Sequence, residues 1–419
     1  MHRSSDAFNY RQGALYCENV SLADIAGQVG TPCYVYSSAA ALARFRAYEE
    51  GLAGLPHKVC YAVKANSNLS LLALLAKAGA GFDIVSGGEL FRVIQAGGDP
   101  STAVFSGVGK SAEEVEYALT QKIHCFNCES EAELMLIDAL AARYRTRARV
   151  ALRVNPDVDA DTHPYISTGL RRHKFGIDIT EAENAYAQAM RLPHLSVEGV
   201  ACHIGSQLLD TAPILQALDK MLALIERLRS QGVPIRSLDL GGGLGVRYRP
   251  SDAAPDILEF ATSVRKKVED KGLFLILEPG RSIVGEAGVL LTRVLYRKRT
   301  SDREFIVVDA AMNDLLRPSL YQSHHEIYPV RETSRGKVRA DVVGPICESG
   351  DFLALDREME NVLPGDLLVV WTAGAYGHVL SSNYNARPRA PEIIVQGDNW
   401  FIARARETYQ DLIRGEVRP

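Results

Sequence analysis

The chain has almost no excess of either charge: its 419 residues set 47 Lys and Arg against 51 Asp and Glu, a net charge of −4. That balance excludes a partner chosen by bulk electrostatics, such as nucleic acid or an anionic membrane. Long apolar runs are missing too. The stretch "LSLLALLAKAGAGFDIV" is interrupted by Lys77 and Asp83 and falls short of a bilayer span. The N-terminal "MHRSSDAFNYRQG" lacks the apolar core of a secretion signal, so a cytoplasmic protein is expected. Paired cysteines are lacking: the seven (Cys17, Cys33, Cys60, Cys125, Cys128, Cys202 and Cys347) form an odd, scattered set that argues against a disulfide framework. "CFNC" has a metal-like spacing at Cys125 and Cys128, but no second pair of ligands follows it. It reads as two half-buried small residues in a strand. The doublet His324-His325 also lacks spaced partners and reads as structural; no metal is expected. No internal repeat or low-complexity segment is visible.

What is present is an alternation. With 47% hydrophobic residues the chain can bury a large core, and its length suits two or three domains. Between Lys58 and Ser282, β-rich runs ("KVCYAV", "GFDIV", "TAVFSG", "IHCFN", "VALRVN", "SVEGVACHI", "IRSLDL", "LFLILEP") alternate with helical segments such as "GELFRVIQAGG" and "PILQALDKMLALIERLRSQG". Eight strand–helix units predict a parallel sheet closed as a (β/α)8 TIM barrel, within the α/β class. An open doubly wound sheet is the alternative, but "DLGGGLG" falls at the seventh strand, whereas a dinucleotide fingerprint follows the first. After Val294, short β-rich pieces separated by Gly, Pro and Asp predict a second, mostly antiparallel β domain. The expected division is residues 1–37 as an N-terminal segment packing with the β domain, 38–285 as the barrel and 286–419 as the C-terminal β domain.

Barrel chemistry gathers where strands end. The unusual residues at those ends are Lys64 after strand one, Asp83 in strand two with Glu89 beyond it, and Arg153 in strand five. His203 and Ser206 follow strand six, Gly241 to Gly243 follow strand seven, and Glu278 to Arg281 follow strand eight. A lysine interrupting an apolar strand either reaches solvent or has a job. The job that fits is an imine with a carbonyl, made by an amine of lowered pKa. "LGGGLG" and "EPGR" offer backbone N–H groups after strands seven and eight, where barrels commonly hold phosphate. An imine lysine, a phosphate cradle and an acidic Glu278 together fit pyridoxal phosphate, with the carboxylate against the pyridine nitrogen. His203 is either a ring-stacking residue or a hydrogen-bonded core histidine.

The motifs "YAVKAN", "HIGSQ", "DLGGGLG", "EPGR", "MNDLLRPSLY", "GPICESGDF" and "GAYG…SSNYNARPRAPE" resemble, in order from Tyr34 to Pro391, the diaminopimelate decarboxylase family. These are barrel-type pyridoxal-phosphate enzymes related to alanine racemase. The resemblance implies a homodimer with active sites at its interface and conversion of meso-2,6-diaminopimelate to L-lysine and CO2. It implies Lys64 as the cofactor lysine, Glu278 as partner of the pyridine nitrogen and His203 as the stacking ring. Ser206, Gly242, Gly243, Gly280 and Arg281 would serve the phosphate region, Arg281 facing the substrate as well. Arg317 and Tyr321 would grip a substrate carboxylate, and Tyr376 would touch both cofactor and substrate. Cys347 and Glu348 would reach the partner subunit's site. Asp83, Glu89 and Arg153 resemble positions around the cofactor. "STGLRRHKFGI" resembles the family's lid, with no role assigned to Arg171, Arg172 or His173.

On this reading Cys347 is the proton donor that replaces CO2. Arg281 and Arg317 bind carboxylate, and Glu348 takes the distal ammonium. The nearest alternative is an ornithine- or arginine-type decarboxylase of the same fold, which would leave the clamp in "RPSLY" unpaired. A racemase would require acid and base on opposite faces without loss of CO2. From another class come a small cofactor carrier, which would lack the β domain, and an antizyme-inhibitor-like paralogue, which would lack the lysine or the Cys-Glu loop.

Overall fold

The computed structural model describes residues 7–158 and 174–419. Arg171, Arg172 and His173 of the lid-like stretch lie outside the described residues. The described residues fall into two compact units. One comprises Arg44–Val246 and Ala253–Ser282; the other comprises Met1–Ala43, Arg247–Asp252 and Ile283–Pro419.

In the first unit eight strands pair in parallel: His57–Ala62, Gly81–Ile84, Ala103–Phe105, Cys125–Cys128, Ala148–Asn155, Leu195–Ala201, Ser237–Asp239 and Phe274–Leu277. The last pairs with the first through Leu275 and His57, which closes the barrel. The short Ile177–Asp178 adds to the outside of the fifth strand.

The helices between strands start where the sequence supplies a cap. Asn68 accepts from the Ser70 and Leu71 amides, Ser86 from that of Glu89, and Ser130 from that of Glu133. Ser111 and Glu114 make a reciprocal capping box. Each cap satisfies N–H groups that the helix leaves unpaired, and so fixes where the strand-to-helix loop ends.

Small residues fill the barrel interior. Cys60, Val104 and Ile276 form one cluster, and Cys125, Ala151 and Ala201 another. A Cβ added to Gly81 would meet Cys60 Sγ at 2.8 Å, and one added to Gly199 would meet Ala151 Cβ at 2.9 Å. Side chains alternate along a strand. Two residues beyond these clusters therefore come Ala62, Ser106, Glu278, Asn127, Arg153 and His203, on the same inward parity. An apolar inner layer is thus capped by a polar one at the C-terminal strand ends, the face on which barrels place their sites.

The second unit holds a nine-stranded sheet, mostly antiparallel, and a three-stranded one formed by Phe8–Arg11, Ala14–Cys17 and Val20–Ser21. Cys33–Ser37 lies inside the larger sheet, antiparallel to Gly288–Arg299 and parallel to Glu392–Gln396. Phe8, Leu15, Leu22, Val35, Leu291, Val369, Trp371 and Ile393 share one buried core. The parallel barrel and the separate antiparallel sheet expected from the sequence are both present. Among the described residues no helix is long and apolar enough to cross a membrane.

Candidate active site

Lys64 sits in the 3-10 turn Val63–Ala65, directly after the first barrel strand. Its Nζ donates to Asp83 Oδ2 at 2.5 Å; the Asp83 side chain is fully buried and that of Lys64 is 37% exposed. Oδ1 of Asp83 is buried and finds no hydrogen bond among the described residues. Glu89 is at the start of the next helix, where Oε2 accepts from the Val85 N–H at 2.7 Å. Burial pushes the Glu89 carboxyl up to about 7, against the opposing pull of that N–H.

Across the polar layer lies a network of four buried side chains. Asn127 Nδ2 donates to Asp239 Oδ2 at 2.8 Å, to Ser106 Oγ at 3.1 Å and to Glu278 Oε1 at 3.3 Å. Ser106 Oγ also donates to Glu278 Oε1, and the Gly241 amide donates to Asp239 Oδ1. Burial raises both carboxyls: Asp239 to about 6, and Glu278 well above the usual range, where repulsion from Asp239 and Asp83 adds to burial. Burial thus pushes both carboxyls of the pair toward the protonated form.

His203 is held neutral by burial, reinforced by the cations Arg153 and Lys64. Its Nδ1 accepts the Gly242 N–H at 3.3 Å, so the other ring nitrogen carries the hydrogen. Arg153 is paired with Glu129 at 2.8 Å, and its guanidinium lies 4.9 Å from the centre of the Phe175 ring. Arg281 Nη2 donates to Ser206 Oγ at 3.0 Å.

The glycines after strand seven are required by the backbone itself. A Cβ on Gly242 would stand 2.2 Å from the Glu278 carbonyl oxygen, and one on Gly243 (φ +115°) would stand 2.7 Å from that of Gly205. The loops after strands six, seven and eight can close together only without side chains there. With the Gly241 and Gly242 amides committed inside the protein, those of Gly243 and Gly280 donate to no acceptor among the described residues.

This donor set fits pyridoxal phosphate. Lys64 offers an accessible amine, and Glu278 offers a buried carboxyl, held by Ser106 and Asn127, to meet a pyridine nitrogen. His203 offers a flat neutral ring. Two spare amides, the Ser206 hydroxyl and Arg281 offer donors for a phosphate.

The remaining sequence candidates belong to the second unit. Arg317 and Tyr321 lie at the two ends of the short helix Arg317–Tyr321, and Arg317 is buried. Cys347 and Glu348 are exposed on a braced loop. Asp351 ties that loop down by accepting from the Met312 and Ile346 amides at 2.7 and 2.8 Å. The Cys347 amide donates to Asn385 Oδ1 at 2.7 Å. Tyr376 takes a left-handed backbone, φ +55°, which a bulky residue adopts only where its surroundings hold it there.

Sequence reasoning passed over Asp239, Asn127, Ser106 and Lys110. Asp239 had a signal, a carboxylate in the buried run "SLDL". Asn127 is hidden inside "CFNC", whose two cysteines turn out fully inside the protein. Of the histidine doublet, His325 is buried and bonds Arg317, while His324 lies between Glu326 and Arg357. Among the described residues no group of His, Cys, Asp or Glu could hold a metal ion.

Residues 39–285 match the family described as pyridoxal-dependent decarboxylase, pyridoxal binding domain. A diaminopimelate decarboxylase of Pseudomonas aeruginosa is 55% identical over 98% of this chain and 99% of its own. The crystal structure of diaminopimelate decarboxylase from Helicobacter pylori complexed with L-lysine superposes with a TM-score of 0.90 at 41% identity, covering 94% of this chain and 98% of that one. The corresponding enzyme from M. jannaschii, also with L-lysine, gives a TM-score of 0.93 at 37% identity over 99% and 98%. Sequence, fold and the polar layer at the barrel mouth agree, and the chain belongs to the diaminopimelate decarboxylase family of pyridoxal-dependent decarboxylases.

Proposed function

We propose that this chain decarboxylates meso-2,6-diaminopimelate to L-lysine, acting as a cytoplasmic homodimer with pyridoxal phosphate held in the barrel of residues 38–285. The observation that carries the reading is Lys64 Nζ at Asp83, in one polar layer with Glu278 and Asp239, both bonded by Asn127. Family membership adds the reaction. When bound, the cofactor supplies an electron sink for the electrons left by departing CO2.

This chain's residues do the rest. Lys64 would hold the aldehyde end, Glu278 would meet the ring nitrogen and His203 would cover a ring face. Asp83 stands beside Lys64 and keeps its ammonium in place until it is needed. Gly243, Gly280, Ser206 and Arg281 would take the phosphate, while Gly242 would act through its hydrogen bond to His203. Tyr376 would touch cofactor and substrate. Arg281, Arg317 and Tyr321 grip substrate carboxylate, and Glu348 takes the distal ammonium. Cys347 Sγ delivers the proton that takes the place of CO2 on the α-carbon.

Cys347 and Glu348 serve the neighbouring subunit's site, and their exposure on a braced loop supports that role. One exposed and six buried free thiols suit a reducing compartment.

The test is purified protein assayed with its cofactor. It should be yellow, borohydride should fix the cofactor to Lys64, and CO2 should come from meso-diaminopimelate far faster than from ornithine or arginine. A preference for ornithine would overturn the substrate; no bound cofactor would overturn the class.

A further inference from the structure

His325 is wholly buried, yet it spends both ring nitrogens. Nδ1 lies 2.7 Å from the Trp371 carbonyl oxygen, which can only accept, so Nδ1 carries the hydrogen. Nε2 therefore presents a lone pair, and Arg317 Nη1 stands 3.0 Å from it as the donor. An imidazolium has no lone pair to offer, so the contact requires the neutral ring. The Arg317 guanidinium also rests on the face of Tyr248, 4.5 Å from its centre, and Tyr248 meets His325 edge-on at 5.2 Å. A long flexible side chain that is only 5% exposed is thus held by a ring face and a ring nitrogen, neither of them a carboxylate.

We infer that His325 is a positioning residue for substrate recognition: through the relay from Trp371 carbonyl to imidazole to guanidinium, it sets the Arg317 fork for a substrate carboxylate before substrate arrives. The inference rests on the reading of Arg317 as a carboxylate grip. A guanidinium has five N–H donors in a fixed plane. Committing one to His325 and laying the plane on Tyr248 fixes the direction in which the guanidinium points. The rotamer entropy of the arginine is then lost on folding and not on binding. Pro318, at the start of the helix, fixes the backbone that carries both Arg317 and, one turn on, Tyr321.

The experiment compares H325F, H325Q and R317A, each as the cofactor-loaded dimer with thermal melting as a check on folding. H325F keeps a flat ring and loses the acceptor. Its KM for meso-diaminopimelate should rise roughly tenfold to a hundredfold, the worth of a hydrogen bond to a charged group, while kcat changes by less than about threefold. H325Q, whose carboxamide oxygen can accept the same N–H, should recover most of that KM. H325F at wild-type KM beside a damaged R317A would overturn the inference alone. So would H325Q as impaired as H325F, since packing would then be the whole role. R317A at wild-type KM would overturn the carboxylate-grip reading itself.

Discussion

Lys64 Nζ and Asp83 Oδ2 meet at 2.5 Å, an ammonium from the turn after the first barrel strand against a carboxylate buried in the second. The two strands are adjacent and parallel, with Ala62 opposite Asp83, so their register alone brings the two groups together. A carboxylate with no exposed area needs a partner, and here the partner is the amine assigned to the cofactor.

Removing that amine should therefore cost stability before any question of turnover arises. In cofactor-free protein, Lys64→Met leaves Asp83 as an unpaired buried charge. Because Lys64 is partly exposed, the loss should sit at the low end for a broken buried pair, on the order of 2 kcal/mol. The double variant Lys64→Met/Asp83→Asn should regain most of it in thermal melts. Equal melting of wild type and Lys64→Met would show that water already pays the charge on Asp83.

Burial raises Asp239 to about 6, and raises Glu89 and Asp314 to about 7. Between the ordinary carboxylate range and these values the folded chain binds more protons than the unfolded chain, so stability falls as pH rises through that window. Cofactor-free protein should melt higher at pH 6 than at pH 8. Below the ordinary carboxylate range the trend should reverse. There, hydrogen bonds from His324 and Tyr328 outweigh burial to hold Glu326 low, and protonating it costs stability. Asp314→Asn should shrink the rise between pH 8 and pH 6. An unchanged slope in that variant would remove Asp314 from the account.

Lys110 is a buried lysine, with a side chain only 1% exposed. Its Nζ donates to Glu133 Oε1 at 2.6 Å and to the carbonyls of Gly107 and Asn127 at 2.8 Å. Glu133 holds the Glu129 amide, and Glu129 holds Arg153. Lys110→Met should destabilise by about 3 kcal/mol, because Glu133 is left charged and buried. It should also weaken cofactor retention, since Asn127 carries the Glu278–Asp239 pair. Adding Glu133→Gln should restore stability more than retention. If both recover together, the lysine serves the fold alone.

Much of this was legible in the sequence for a physical reason. Strand period and helix period alternate eight times, and strand ends are where a barrel exposes polar groups. Lys64, Asp83, His203 and Glu278 stood out because they interrupt apolar runs. Asn127 and Ser106 did not, because a neutral polar residue in a strand costs little to write and looks like any half-buried position. What distinguishes them is convergence across strands three, four, seven and eight on Glu278, a relation that no spacing along the chain encodes. The histidine doublet shows the same limit. As letters its two members are alike, yet one fixes a buried arginine and the other lies between a carboxylate and a guanidinium.

The proposed sharing of sites between subunits can be tested without a structure of the assembly. Lys64→Met lacks the proposed cofactor amine and Cys347→Ala lacks the proposed proton donor, so each homodimer should be nearly inactive. If Cys347 serves the neighbouring site, a mixed dimer has one site with both groups intact and one with neither. Random re-pairing makes half the dimers mixed, so activity should return to about a quarter of wild type in a two-fold dimer. If Cys347 serves its own subunit, every site in the mixture lacks one group, and mixing restores nothing. Full turnover by Cys347→Ala alone would place the proton donor elsewhere. The loop braced by Asp351 makes the experiment clean, because its hydrogen bonds come from the Met312 and Ile346 amides, which neither substitution removes.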